Sequence, residues 1–177
     1  VIEVIWHGRG GQGAFTAARL LAAGYSAPDG KHALAFPSFG PERRGAPMRA
    51  FTKLDDAPIG DRSACTRADI VAYLDDTLFD EGWDEELKPG GFALVNSVRS
   101  FDDARIVTVD ADGVSQRILG RAIPNTALLA KLTCMVDGFG RDALAWSIEH
   151  YMPAKLHAKN LAVVDAVLAT GEDGGNA

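Results

Sequence analysis

Cysteine is scarce in this chain. Cys65 and Cys134 are its 2 thiols in 177 residues, and neither belongs to a C-x-x-C. The chain alone therefore assembles neither a four-thiolate iron–sulfur cluster nor a structural zinc site. His7, His32, His150 and His157 fall at no metal-ligand spacing and read as packing or surface residues, with His7 set apart only by the glycine turn that follows it. Positive charge is also in short supply. The chain has 18 Lys and Arg against 24 Asp and Glu, a net charge of −6 and a pI near 5.1. That balance leaves no broad basic face for nucleic acid or an anionic membrane. No apolar run approaches the roughly 20 residues that span a bilayer, and no basic start leads into an apolar stretch and cleavage site. The expectation is a cytoplasmic protein with no nucleic-acid and no membrane partner. A Ser/His/Asp constellation and a Walker lysine are missing as well.

What is present suits one packed domain. At 47% hydrophobic residues the chain can fill one core, but 177 residues are too few for two ordinary domains. The pattern implies a domain over residues 1–170 and a mobile polar tail over 171–177. Apolar and β-branched runs predict strands at 2–6, 33–36, 47–54, 70–74, 92–95 and 106–109. Helical periodicity predicts helices at 14–26, 113–119, 126–136, 142–151 and 155–169, so the class is α/β with a helical C-terminal third. Asn125 reads as the N-cap of the 126–136 helix, and Pro89-Gly90-Gly91 as the turn before the 92–95 strand.

The most informative stretch is VIWHGRGGQGAFT, Val4 to Thr16, where a strand feeds a glycine-rich turn and then a helix. Gly8, Gly10 and Gly13 fit G-x-G-x-x-G with Gly11 as an extra glycine, a geometry that brings backbone amides and a helix N-terminus toward an anion. The same spacing also serves a plain tight turn. A nicotinamide site would add an acid at the end of the second strand, where this chain has Phe36-Pro37-Ser38. That argues against NAD and leaves another nucleotide-bearing cofactor. Gln12 and Thr16 offer side-chain donors and Arg9 a cationic fork, requirements that coenzyme A (CoA) fits.

A second unusual stretch, AFPSFGPERRGAPMRAF from Ala35 to Phe51, crowds prolines, glycines, arginines and phenylalanines between two strands. Either Arg43 and Arg44 are simply solvated, or one of them meets an anion or a partner's carboxylate, with Glu42 as a mate within the chain and Phe36 and Phe39 at a contact. Asp75 sits at the C-terminal end of a strand and reads as a cap or a ligand contact. Lys155 and Asn160 either reach an interface or decorate a helix. The Gly-Asp-Gly opening of a thiamine diphosphate site is absent, so the chain reads as a binding partner rather than a self-sufficient catalyst.

WHGRGGQGAFTAARLLA at 6–22 and FPSFGPERRGAPMRAF at 36–51 together resemble the gamma subunit of 2-oxoacid:ferredoxin oxidoreductases, most closely the pyruvate type. ADIVAYLDDTLF at 68–79, PNTALLAKLTCMV at 124–136 and the closing helix with Lys155 and Asn160 extend the resemblance over nearly the whole chain. The resemblance implies a three-layer α/β/α, Rossmann-like domain with a mostly parallel or mixed sheet. It implies a complex that oxidatively decarboxylates a 2-oxoacid with CoA to acyl-CoA and CO2 and passes electrons to ferredoxin or another acceptor. Thiamine diphosphate, Mg2+ and [4Fe-4S] clusters would lie on alpha, beta and delta-type partner subunits. This chain would be noncatalytic, with Gly8, Arg9, Gly10, Gly11, Gln12, Gly13 and Thr16 holding the nucleotide end of CoA. Ser38, Phe39, Glu42, Arg43 and Arg44 would face the other subunits near the path of the thiol. Pyruvate is the default substrate. Alternatives are an aryl or branched-chain 2-oxoacid such as phenylglyoxylate, with NAD reached through a flavin subunit, a purely architectural subunit, or a stand-alone NAD(P)-binding dehydrogenase.

Overall fold

The computed structural model describes residues 1–38 and 43–172, so Phe39, Glu42 and the tail beyond 172 lie outside the described residues. The strands are β1 (Ile2–Arg9), β2 (His32–Pro37), β3 (Pro47–Asp55), β4 (Ala68–Tyr73), β5 (Leu87–Asn96) and β6 (Ile106–Val109). The helices are α1 (Ala14–Tyr25), α2 (Ala111–Leu119), α3 (Asn125–Leu132), α4 (Arg141–Tyr151) and α5 (His157–Glu172). The strands form one six-stranded sheet in the order β2-β3-β1-β4-β5-β6. It is mixed: β3 runs antiparallel to both of its neighbours, and the β1–β4, β4–β5 and β5–β6 pairs are parallel.

Alternation along the strands divides the core. Val4 and Trp6 of β1 and Ile70 and Ala72 of β4 turn to one face, while Ile5, Val71 and Tyr73 turn to the other. On the first face α1 lies against β1, β2 and β3, and α3 touches β5 and β6. Behind them α4 packs on α1 and α5 on α3. Ala17 and Ala18 of α1 are fully buried, and these small side chains let the helix sit close to the sheet. The buried Trp6 indole donates to Thr52 Oγ1 at 3.0 Å, and that hydroxyl donates on to the Ala18 carbonyl at 3.2 Å. A polar relay thus satisfies the largest side chain of the core.

The α/β class, the mixed sheet and the helical C-terminal third are as the sequence implies. The layer on the second face is thinner than an α/β/α form implies. The β1–α1–β2 crossover and the β4–β5 crossover run in opposite directions from the sheet centre, so right-handed connections place them on opposite faces. The β4–β5 connection carries only a 3-10 turn at Asp76–Leu78, and Leu78, Phe79 and Trp83 cover the sheet there in place of a helix.

Several element boundaries differ from the sequence reading, and three of these differences have a local cause. Pro89-Gly90-Gly91 does not precede β5 but lies within it, as an irregularity where the pairing shifts from Ala68–Leu87 to Ile70–Phe92. The 126–136 helix ends at Leu132 and continues as turns closed by Met135 N–H to the Leu132 carbonyl and Phe139 N–H to the Val136 carbonyl. Asn125 is the first residue of α3 rather than its cap, because its Oδ1 accepts only from the adjacent Thr126 N–H.

Candidate functional site

β1 passes directly into the glycine turn and α1. Gly11 and Gly13 have φ of 96° and 85°, the left-handed region that favours glycine. At Gly13 a Cβ would also lie 2.6 Å from Asn125 Nδ2, and at Gly10 it would overlap the Arg43 carbonyl. The 43–46 segment is laced to the turn: Gly10 N–H donates to the Ala46 carbonyl at 3.0 Å and Gly45 N–H to the Gly10 carbonyl at 3.1 Å. Arg43 and Arg44 therefore leave the loop beside Gly10. Ser38 instead extends the β2–β3 pairing, its N–H donating to the Arg49 carbonyl at 2.8 Å.

The side chains of the turn are engaged internally. Gln12 Oε1 accepts from Arg9 N–H at 2.7 Å, and its Nε2 donates to Asp75 Oδ2 at 2.9 Å. The Arg9 guanidinium meets the same carboxylate oxygen at 3.2 Å, Thr77 Oγ1 at 3.0 Å and the Gly45 carbonyl at 3.2 Å. Asp75 caps the 3-10 turn through Thr77 N–H at 3.0 Å. Burial pushes its carboxyl up, but the hydrogen bonds from Thr77 and Gln12 and the charge of Arg9 outweigh that and hold it below the usual carboxylate range.

The crevice at the C-terminal ends of the strands, where an open α/β sheet usually receives a ligand, is acidic here. Its volume is about 200 Å³ and its walls include Asp75, Asp76, Asp110 and Asp112. Burial, together with the charges of the three other aspartates, pushes Asp112 up.

The other side of the turn has the opposite character. A cavity of about 560 Å³ opens between the starts of α1, α3 and α5. Gly13 comes from the turn before α1, Thr16 and Arg19 from α1, Arg121 from the α2–α3 connection, Asn125 from α3, and Lys155, Lys159 and Asn160 from the start of α5 and the turn before it. Its lining holds 4 cationic side chains and no carboxylate. Among the described residues none of these cations has a carboxylate partner. Helix N-termini add partial positive charge. Asn160 is held by Thr126 Oγ1, which donates to its Oδ1 at 2.7 Å, and by its own Nδ2 donating to the Leu156 carbonyl at 2.9 Å. Asn125 is 5% exposed and lines the same cavity, and its Nδ2 donates to nothing among the described residues. That donor opens on the cavity, where an anion or water can accept from it. Leu119, Ile123 and Met152 add an apolar wall.

Of the residues singled out in the sequence, the cavity thus gathers Gly13, Thr16, Lys155 and Asn160 but not Arg9 or Gln12. Arg19, Arg121 and Lys159 carried no sequence signal, because they lie far apart along the chain and join no local basic run.

Residues 3–170 match the pyruvate ferredoxin/flavodoxin oxidoreductase family. The chain belongs to this family. It is similar to pyruvate synthase subunit PorC of Methanothermobacter marburgensis, with 42% identity over 163 residues covering 90% of this chain and 92% of that one. It is also similar to the pyruvate/ketoisovalerate oxidoreductases common subunit gamma of Thermococcus kodakarensis, with 43% identity over 149 residues covering 77% and 80%. The crystal structure of PorC from Thermotoga maritima superposes with a TM-score of 0.79 at 32% identity, covering 95% of each chain. The gamma-type subunit assignment carried by the two sequence motifs stands, and the complex it serves is an oxidoreductase. Among the described residues of this gamma subunit, no group of His, Cys, Asp or Glu is arranged to hold a metal ion, and no helix is long and apolar enough to cross a membrane.

Proposed function

We propose that this gamma subunit holds the phosphorylated, nucleotide end of CoA in the cationic cavity between α1, α3 and α5. The observation that carries the reading is Asn125: a nearly buried amide with an unused Nδ2 donor, in a cavity lined by Arg19, Arg121, Lys155 and Lys159 without a counter-charge. An anion with several phosphate oxygens satisfies both features. Arg19 and the lysines neutralise charge, the Asn125 Nδ2 and the Thr16 hydroxyl donate hydrogen bonds, and the apolar wall excludes water from one side.

The glycine turn has a shaping role in this reading. Gly13 leaves room for the Asn125 amide, and Arg9, Gln12 and Asp75 lock the turn against β4. CoA supplies the thiol that receives the acyl group, and thiamine diphosphate, Mg2+ and [4Fe-4S] chemistry belongs to the alpha, beta and delta-type subunits. The complex is cytoplasmic, acts on a 2-oxoacid with pyruvate as the default, and reduces ferredoxin. Arg43 and Arg44, set beside the turn, face those subunits.

The test is the steady-state kinetics of the intact complex carrying Arg19→Ala with Lys159→Ala. Loss of two exposed cationic contacts of ~0.5–1 kcal/mol each raises KM for CoA about tenfold. The KM for the 2-oxoacid and kcat at saturating CoA stay as in the wild type. An unchanged KM for CoA in this double variant and in Asn125→Ala refutes the assignment.

A further inference from the structure

The sheet face opposite the helices carries a second large cavity that the CoA reading does not use. It has a volume of about 660 Å³, with His7 and Tyr73 at its base, Leu78 beside them and Asp80, Glu81, Glu85 and Glu86 around it. The His7 ring stacks on Tyr73 with centroids 4.8 Å apart and planes 9° from parallel, and its Nε2 is hydrogen-bonded to Glu86. Glu86 is also paired with Arg49 at 3.0 Å. Asp80, Glu81 and Glu85 have no cationic partner among the described residues. Arg105, the other cation near this segment, is taken by Asp103 at 2.8 Å and Asp84 at 3.5 Å.

Tyr73 supplies the second observation. It is 3% exposed, it lines the cavity, and its hydroxyl makes no hydrogen bond among the described residues. Burial pushes its phenol up, with Glu86 and Asp80 adding to the effect, so the hydroxyl stays neutral at physiological pH and its oxygen is free to accept. The described residues offer no metal-binding geometry. The ligand that fits is an organic cation with several donors and a flat, weakly hydrated body that can lie against Leu78 and the Tyr73 ring.

We infer that this cavity receives an arginine side chain from a companion subunit of the oxidoreductase. The relatives are named as subunits, the chain carries a net charge of −6, and here it gathers unneutralised carboxylates around the Tyr73 hydroxyl, which opens on the cavity. A guanidinium has five N–H donors in a flat fork for the carboxylates of Glu81 and Glu85 and the Tyr73 hydroxyl, and its weakly hydrated plane suits the Tyr73 ring better than a compact ammonium does. The inference rests on the chain being a subunit of an assembly and not on where CoA binds.

The experiment is a cryo-EM map of the intact complex, together with native mass spectrometry of wild type, Glu81→Gln with Glu85→Gln, Tyr73→Phe, and Glu149→Gln as a charge control on α4. A guanidinium within hydrogen-bond distance of Glu81 or Glu85 supports the proposal. So does about tenfold easier release of this subunit with added salt in the double variant, with a smaller increase in Tyr73→Phe and none in the control. Solvent alone in the cavity overturns it, as does release at the same salt concentration in all four proteins. KM for CoA is measured in the same samples. It stays at the wild-type value if the cavity is a docking site, so failure here and failure of the CoA assignment are read separately.

Discussion

Gly11 and Gly13 provide a matched pair for testing whether the glycine turn shapes the CoA cavity. Both have positive φ, 96° and 85°, so a Cβ at either position costs roughly 1–2 kcal/mol of backbone strain. They differ in what the new methyl group meets. At Gly11 nothing lies within 4 Å, whereas at Gly13 the methyl group would sit 2.6 Å from Asn125 Nδ2 and 3.1 Å from Asn125 Cγ. The Asn125 side chain must move, and at 5% exposure it has little room to do so. Overpacking of this kind adds about 1–3 kcal/mol. Gly11→Ala should therefore lower the stability of the gamma subunit by about 1–2 kcal/mol and leave KM for CoA unchanged. Gly13→Ala should lose about 2–5 kcal/mol, the sum of the two costs, and raise KM for CoA about tenfold or more by displacing the amide donor. Thermal unfolding of the complex and CoA titrations at saturating 2-oxoacid measure both quantities. Equal KM values for the two variants would mean that Asn125 does not contact CoA, whatever their stabilities.

Two further substitutions test how the fold supports the site. Thr52→Val removes the acceptor of the buried Trp6 indole N–H and should cost about 1–3 kcal/mol in denaturant unfolding; a loss below the error of the midpoint would show that another group or a water replaces it. Asp75→Asn should cost about 1–2 kcal/mol at neutral pH by weakening the Arg9 and Gln12 contacts. Because the folded-state pKa of Asp75 is lowered, its contribution is fully present above the ordinary aspartate range near ~4 and is lost as pH falls through the depressed value. The difference between wild type and Asp75→Asn should therefore shrink on acidification, and a gap that is constant or that widens toward low pH contradicts the assigned pairing.

Much of the sheet was legible because its signals are local. Val4 to Trp6, Ile70 to Tyr73 and Phe92 to Val95 are apolar runs bounded by polar or turn residues, and each is the interior of a strand. Pro89-Gly90-Gly91 misled because the dipeptides that make turns also make bulges, and only the register of β4 against β5 tells the two apart. The apolar stripe predicts a longer α3 because it runs on through Met135 and Val136. Those residues are held by turns after the helix stops.

The candidate site was less legible, for a physical reason. A glycine turn reveals that a backbone must pass close to something, but not on which side of the helix start the charge lies. Arg9 and Gln12 sit in the motif and look like ligand donors, yet Asp75, 63 residues beyond Gln12, takes them both. The cationic cavity on the far side of α1 is assembled from single residues on separate elements: Arg19, Arg121, Asn125, Lys155 and Lys159. A chain with a net charge of −6 can hold such a site only by segregating its charges, and this fold does so around β1. Carboxylates collect at the strand ends around Asp75 and Asp112 and beyond His7 around Glu81 and Glu85, while the lining of the α1–α3–α5 cavity holds none. In the proposed reading an anionic ligand is drawn to the only one of these three cavities whose lining carries no carboxylate.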